Sequence, residues 1–182
     1  MTGDIRDHRH TERRHMIRVK NALAAGLGLA PPDAGFLLAC ADYLGWIVGR
    51  FTAQGRANVE RLGPRVAAAG DEEGARIIAD IALTLGQTES ALAGLLAGAE
   101  ACRGGPEDGL PVLVAAGHRF VAFYDAVLAS RKDPAQQVID RHFSSAEYWA
   151  LTNDVTTESV RTENALFGRV ARLAPPGVNV AD

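Results

Sequence analysis

Apolar residues recur along this chain at intervals of three and four, and short polar breakers divide the pattern into long helical segments. The first predicted helix, about Ile5 to Leu27, places His15, Val19 and Leu23 on one face, and Gly28 with the pair Pro31–Pro32 ends it. Asp33 is the N-cap of a second helix whose stripe runs Leu37, Cys40, Leu44, Ile47 and Phe51. That helix is expected to end near Leu62 at Gly63–Pro64, or a turn later at Ala69. Asp71 caps a third helix, Glu72 and Glu73 suit its N-terminal dipole, and Ile77, Ile78, Ile81, Leu85, Leu92 and Leu95 carry it to about Ala101. A fourth begins near Leu110, carries Val112, Val114, Phe120, Phe123, Tyr124, Val127 and Leu128, and breaks at Asp133–Pro134. A short piece (Ala135 to Arg141) follows. Ser144 with Glu147 then has the spacing of a capping box, opening a short helix through Tyr148 and Trp149. A last amphipathic helix, about Thr156 to Leu173, offers Val160, Leu166, Phe167 and Val170 for docking.

Strand signals are nearly absent. Four long helices with short connections predict an all-α fold, an antiparallel four-helix bundle with two additional C-terminal helices packed across it. Residues 1–174 read as a single domain and 175–182 as a loose C-terminal tail.

The stripe of the second helix, continued by threes and fours, reaches Gln54, then Asn58, then Leu62. A buried amide without a partner costs about 1–3 kcal/mol, so the two amides either pair inside the core or line an internal site. Thr84 and Thr88 stand at about the same level of the third helix if the two are antiparallel neighbours. A threonine hydroxyl can return to its own preceding turn, yet with the amides the pair suggests a neutral polar belt.

Composition narrows the partners. The chain has 182 residues and a net charge of −3, with Lys and Arg scattered, which argues against nucleic acid or an anionic membrane as the main partner. Arg6, Arg13, Arg14, Arg18 and Lys20 are interleaved with Asp4, Asp7 and Glu12 and read as a solvated helix face. Cys40 and Cys102 lack metal-site spacing, and a disulfide framework is not expected. The apolar run from Phe36 to Phe51 is interrupted by Asp42 and Arg50 and does not read as a membrane span. With no apolar leader at the start, the expectation is a cytoplasmic protein.

Few groups suit chemistry. Glu12-Arg-Arg-His15 has the Glu-x-x-His spacing of carboxylate-bridged metal bundles, which need two copies; a second is not found, so a surface glutamate beside a partly buried histidine is the plainer reading. His118 and Asp125 are seven apart on one face of the fourth helix, with Tyr124 adjacent, and His118 lies in an apolar run that can turn it inward. His8 and His10 are expected at an exposed start, Glu60 and Glu89 in solvent, and His142 in a local capping or loop role.

In layout the chain resembles the hemerythrin-like (HHE cation-binding) family of four-helix bundles, over roughly residues 10 to 172. The family's second helix ends in His, three residues, Glu, then six residues to a proline. Here the run is Gln54-Gly-Arg-Ala-Asn58-Val-Glu-Arg-Leu62-Gly-Pro64. Phe120, Phe123 and Tyr124 resemble the aromatic pair of the fourth helix, and Phe143-Ser-Ser-Ala-Glu147 its restart. The resemblance places ligand positions on Gln54, Asn58, Thr88 and Val127 or Leu128, acidic positions on Arg131 and Lys132, and leaves His15 as a survivor. A di-metal site needs imidazoles and anionic carboxylates, so the resemblance implies a bundle that has lost its metal and carries no cofactor.

The expected function is therefore binding of a small organic molecule in the old metal position. Gln54, Asn58, Thr88, Asp125, Phe51 and Phe120 would form the walls, with His118, His15 and Tyr124 as candidate catalytic groups. Such a site suits cofactor-independent proton transfer, as in an isomerase or lyase, with the amides steadying an oxyanion. One alternative is a structural bundle whose buried amides fix helix register and whose C-terminal helices dock a partner or form a homodimer. The other retains one metal on His15, His118, Asp125 and Glu12.

Overall fold

A computed structural model describes the backbone of residues 2–128, 134–144, 146–147 and 155–180, and the side chains of 8–127, 136–144, 146–147 and 155–180. Among these residues every regular element is helical. They are α1 (Thr2–Leu27), α2 (Ala34–Ala68), α3 (Glu72–Gly104), α4 (Pro106–Phe123) continued by a π-helical turn (Tyr124–Leu128), α5 (Pro134–His142) and α6 (Thr157–Leu173). The fold is all-α, as the periodicity predicts.

The caps follow the sequence. The Asp33 and Asp71 carboxylates accept the backbone N–H groups of Phe36 and Gly74 at 2.9 and 2.8 Å, satisfying donors that a helix start leaves unpaired. Ser144 and Glu147 exchange the two bonds of a capping box, at 2.9 and 3.3 Å. The helix expected to follow through Tyr148 and Trp149 lies outside the described residues. Two helices run further than expected. α2 continues through Pro64, although proline removes a donor and crowds the preceding turn. Burial explains it: Leu62 and Val66 pack with Ile78 of α3 and with Val138 and Ile139 of α5, and that contact outweighs one lost bond. α4 starts at Pro106 rather than near Leu110, because a first-turn proline forfeits no helical bond.

α1 packs on α2, α4 and α6; α2 on α3, α5 and α6; and α3 on α4 and α5. The main core joins Val19 and Leu23 of α1, Phe36, Leu44 and Ile47 of α2, Leu92 and Leu95 of α3, Leu113 and Phe120 of α4, and Val170 of α6. Val180 is buried in this core with Val178 against it, so the described part of the tail is docked rather than loose. By length and composition α2 and the Pro106–Val127 run could cross a membrane, though 50 % of the apolar window of α2 is buried within the fold.

α3 and α4 approach so closely that only glycine fits between them. A Cβ on Gly109 would stand 2.2 Å from the Ala101 carbonyl oxygen, and one on Gly98 2.9 Å from the Ala116 Cβ. At the other end Arg65 ties α5 down. Its guanidinium donates to the His142 carbonyl and the Glu147 carboxylate, and lies 4.1 Å above the Phe143 ring. His142 is more than the local cap expected of it, since its Nε2 stands 2.8 Å from Asp71 Oδ2 at the start of α3.

Replacing Gly109 with Ala forces backbone apart and should cost about 1–3 kcal/mol, read as a lower urea midpoint. The α5 clamp should also fail in acid. The Arg65 hydrogen bond, with those of Ser144, lowers Glu147 from 4.5 to about 2, and the His142 hydrogen bond lowers Asp71. Depressed carboxylates stabilise the fold above their unfolded values and cease to as pH falls through the folded ones. Amide protection of 134–142, corrected for intrinsic exchange, should therefore fall between pH 4.5 and about 2. Arg65→Met should begin low and respond little over the same range.

Candidate functional site

His8, Glu12 and His15 occupy one face of α1, the same face that continues into Val19 and Leu23. That face meets α2 and α6, and there the core turns polar. Glu12 is fully buried, not on the surface as the plainer reading held. Its Oε1 accepts from Arg50 Nη1 at 2.6 Å and stands 3.3 Å from His8 Nε2, so His8 is not in open solvent either, whereas His10 is exposed. Glu163 of α6 is also fully buried. Its Oε1 lies 2.7 Å from His15 Nδ1 and accepts the Tyr43 hydroxyl at 3.0 Å. Aromatic rings enclose the pair: His15 stacks on Phe167 with centroids 3.8 Å apart, Tyr43 meets Phe167 at 6.0 Å, and Arg50 lies 4.6 Å above Trp46.

The two carboxylates differ in their counter-charge. Glu12 faces a guanidinium that never loses its proton. Among the described residues the ionic partner of Glu163 is His15 alone, so its charge is balanced only when a proton sits on that couple. Tyr43 cannot supply it, because burial, then the charge of Glu163, its hydrogen bond and the charge of Glu12 all raise the phenol far above its ordinary value. Tyr43 is thus a fixed neutral donor. A carboxylate on one ring nitrogen fixes an imidazole's orientation and steadies its protonated form, and the His15 side chain remains 17 % exposed. Glu12 Oε2, Glu163 Oε2 and Asn58 Oδ1 are inaccessible and have no hydrogen-bond partner among the described residues.

Of the residues expected to act, His15 is the one brought into this cluster. Gln54, partly buried, faces α1 and accepts from Arg9 Nη1 at 3.0 Å; Asn58, one turn on, is partly buried with its Oδ1 inward. The threonine belt does not reach them. Thr88 donates to the Thr84 carbonyl at 2.7 Å and Thr84 to that of Asp80 at 2.8 Å, so both hydroxyls are used within α3. His118 is exposed rather than turned inward, because α4 buries Leu113, Ala116, Gly117 and Phe120 on its opposite side. Asp125 sits in the π-turn, 2.6 Å from Lys20 Nζ. Lys20, expected on a solvated face, is buried with its ammonium 5.5 Å from the Tyr124 ring. Burial and then Asp125 raise the Tyr124 phenol, and that ring lies 6.5 Å from Phe120 in the core. Phe51 packs at the core's edge. Leu128 has no described side chain; Val127 lines an open groove of about 640 Å³ with Leu83 and Phe123, on the α3–α4 side.

His15, His118, Asp125 and Glu12 are therefore not assembled around one point. Among the described residues, no group of three or more His, Cys, Asp or Glu side chains is placed to hold a metal ion. Both cysteines are buried and free. The chain matches no family model, no curated protein and no solved structure.

Glu163, Tyr43 and Arg50 are the functional groups that the sequence reading passed over. Each carries a positional signal. Glu163 falls in the series Val160, Glu163, Phe167, Val170, the apolar stripe of α6, and Tyr43 and Arg50 flank Ile47 at helical spacing. A carboxylate on a docking stripe is the mark to look for.

Arg50→Met removes the fixed cation of Glu12 and should cost about 3–5 kcal/mol in urea denaturation. The double variant Arg50→Met/Glu12→Leu should recover most of that loss, since what costs is the uncompensated charge and not the missing contact.

Proposed function

We propose that this chain is a hemerythrin-like antiparallel bundle without a di-metal site, and that it binds a small organic molecule where α1, α2 and α6 meet. The contact order supports the arrangement. Glu12 meets Arg50 and Gly26 lies against Phe36, Gly45 lies against Leu96 and Gly55 against Leu85, so numbers rise along one helix as they fall along its neighbour. One observation carries the functional reading: a partly exposed imidazole, His15, held by a fully buried carboxylate, Glu163. Such a couple suits cofactor-independent proton transfer in the cytoplasm. His15 takes a proton from an acidified C–H group and returns it at another atom, while Glu163, itself bonded by Tyr43, holds the ring. Asn58 and Gln54 continue the polar edge along α2. The site so placed lies on the α1–α6 side of α2 and not on the α2–α3 side expected from Gln54, Asn58 and Thr88.

A structural reading stands second, favoured by the way Glu163 ties α6 to both α1 and α2. A buried polar network of that kind can fix how a helix docks.

A metabolite thermal-shift screen on wild type, His15→Gln and Asn58→Leu tests the first reading. At least one compound should raise the wild-type Tm and lose its effect in His15→Gln. The reading fails if no compound acts on the wild type and Asn58→Leu is merely more stable. An obligate oligomer in light scattering, with no ligand response, would favour the structural reading.

A further inference from the structure

The charges at the α1–α2–α6 site bear on which molecules it takes. Glu163 is fully buried, yet its Oε2 has no hydrogen-bond partner among the described residues and no guanidinium or ammonium pairs with the residue. Glu12, whose Oε2 is equally buried and unpartnered, adds a second negative charge that is felt at the Tyr43 hydroxyl, itself bonded to Glu163. The surroundings of the couple are aromatic: Phe167 stacks on His15 and meets Tyr43 edge to face, which keeps bulk water from most of the carboxylate. Anionic oxygens short of donors repel carboxylates and phosphates. They accept a positively charged group that carries N–H donors.

From this arrangement we infer that the ligand class is organic cations, primary amines or guanidines whose N–H groups bind the free oxygen of Glu163. This rests on the proposed small-molecule site and narrows it. The His15 side chain is 17 % exposed, so the couple reaches the surface at that ring. His15 is then a competitor. A proton on His15 and a cation on Glu163 both answer the same negative charge, so binding the cation expels the proton. Among the described residues, the other titratable or charged groups of the cluster are Tyr43 and Arg50 of α2 and His8 and Glu12 of α1. Tyr43 stays neutral, Arg50 stays charged and bonded to Glu12, and His8 stands next to Glu12 rather than Glu163. The proton that moves is therefore assigned to the His15–Glu163 couple. Affinity for an organic cation should therefore rise with pH, and binding should release protons into the buffer.

Three compounds of one shape separate the charges: benzylamine, benzyl alcohol and benzoate. Each is titrated calorimetrically into the full chain in two buffers of different ionisation enthalpy, which reads proton release directly. Benzylamine should bind, and release protons. Benzyl alcohol and benzoate should bind at least tenfold more weakly. Glu163→Gln, which keeps the shape but not the charge, should weaken benzylamine about 10- to 100-fold and abolish the buffer dependence. A melting temperature of Glu163→Gln at or above that of wild type separates the effect from damage to the fold. If benzyl alcohol or benzoate binds as well as benzylamine and His15→Gln removes that binding, the ammonium assignment is overturned while the small-molecule site stands. If none of the three binds and Glu163→Gln is as stable as wild type or more so, both fall.

Discussion

The buried carboxylate of Glu163 governs the architecture at the polar end of this protein. A charge removed from water is tolerated only where other groups converge on it, and here the two that do come from different helices, His15 of α1 and Tyr43 of α2. α6 can settle against that pair in one rotation and one register, since a quarter-turn would leave the carboxylate facing hydrocarbon. The apolar members of the same stripe, Phe167 and Val170, add area without fixing a position. Specificity comes from the acid and cohesion from the hydrocarbon.

Along α1 the structure divides in two. From Val19 onward the helix is held by ordinary oil, with Val19, Ala22, Leu23 and Leu27 inside the main core. Before that point its inward face is His8, Glu12 and His15, held by ion pairs and hydrogen bonds to α2 and α6. The polar half lies away from the tight glycine contacts of α3 and α4.

Much of the fold was legible because it depends on local chemistry. Asp33, Asp71 and the Ser144–Glu147 pair mark helix starts through bonds made within three residues, and the apolar stripes mark inward faces. The helix ends were less legible where a distant contact decided them, as when α5 packing carries α2 through Pro64. The site was half legible. Spacing alone puts Glu12 and His15 on one face of α1, but whether a glutamate there is wet depends on an arginine at position 50, thirty-eight residues away. The polar stripe of α2 calls for partners, and Gln54 finds one in Arg9 of α1, while the α3 threonines satisfy themselves. Periodicity identifies a face and cannot say which helix lies opposite it.

The π-helical turn at Tyr124–Leu128 holds one residue more than an α-helical path of the same length needs. Asp125 lies inside that turn, so the widened backbone sets the angle at which its carboxylate meets Lys20 of α1, 2.6 Å away. Were Tyr124 removed, Asp125 would swing by about 100° around the helix axis and leave Lys20, whose side chain is 11 % exposed. The wide turn therefore acts as the length gauge that matches α4 to α1.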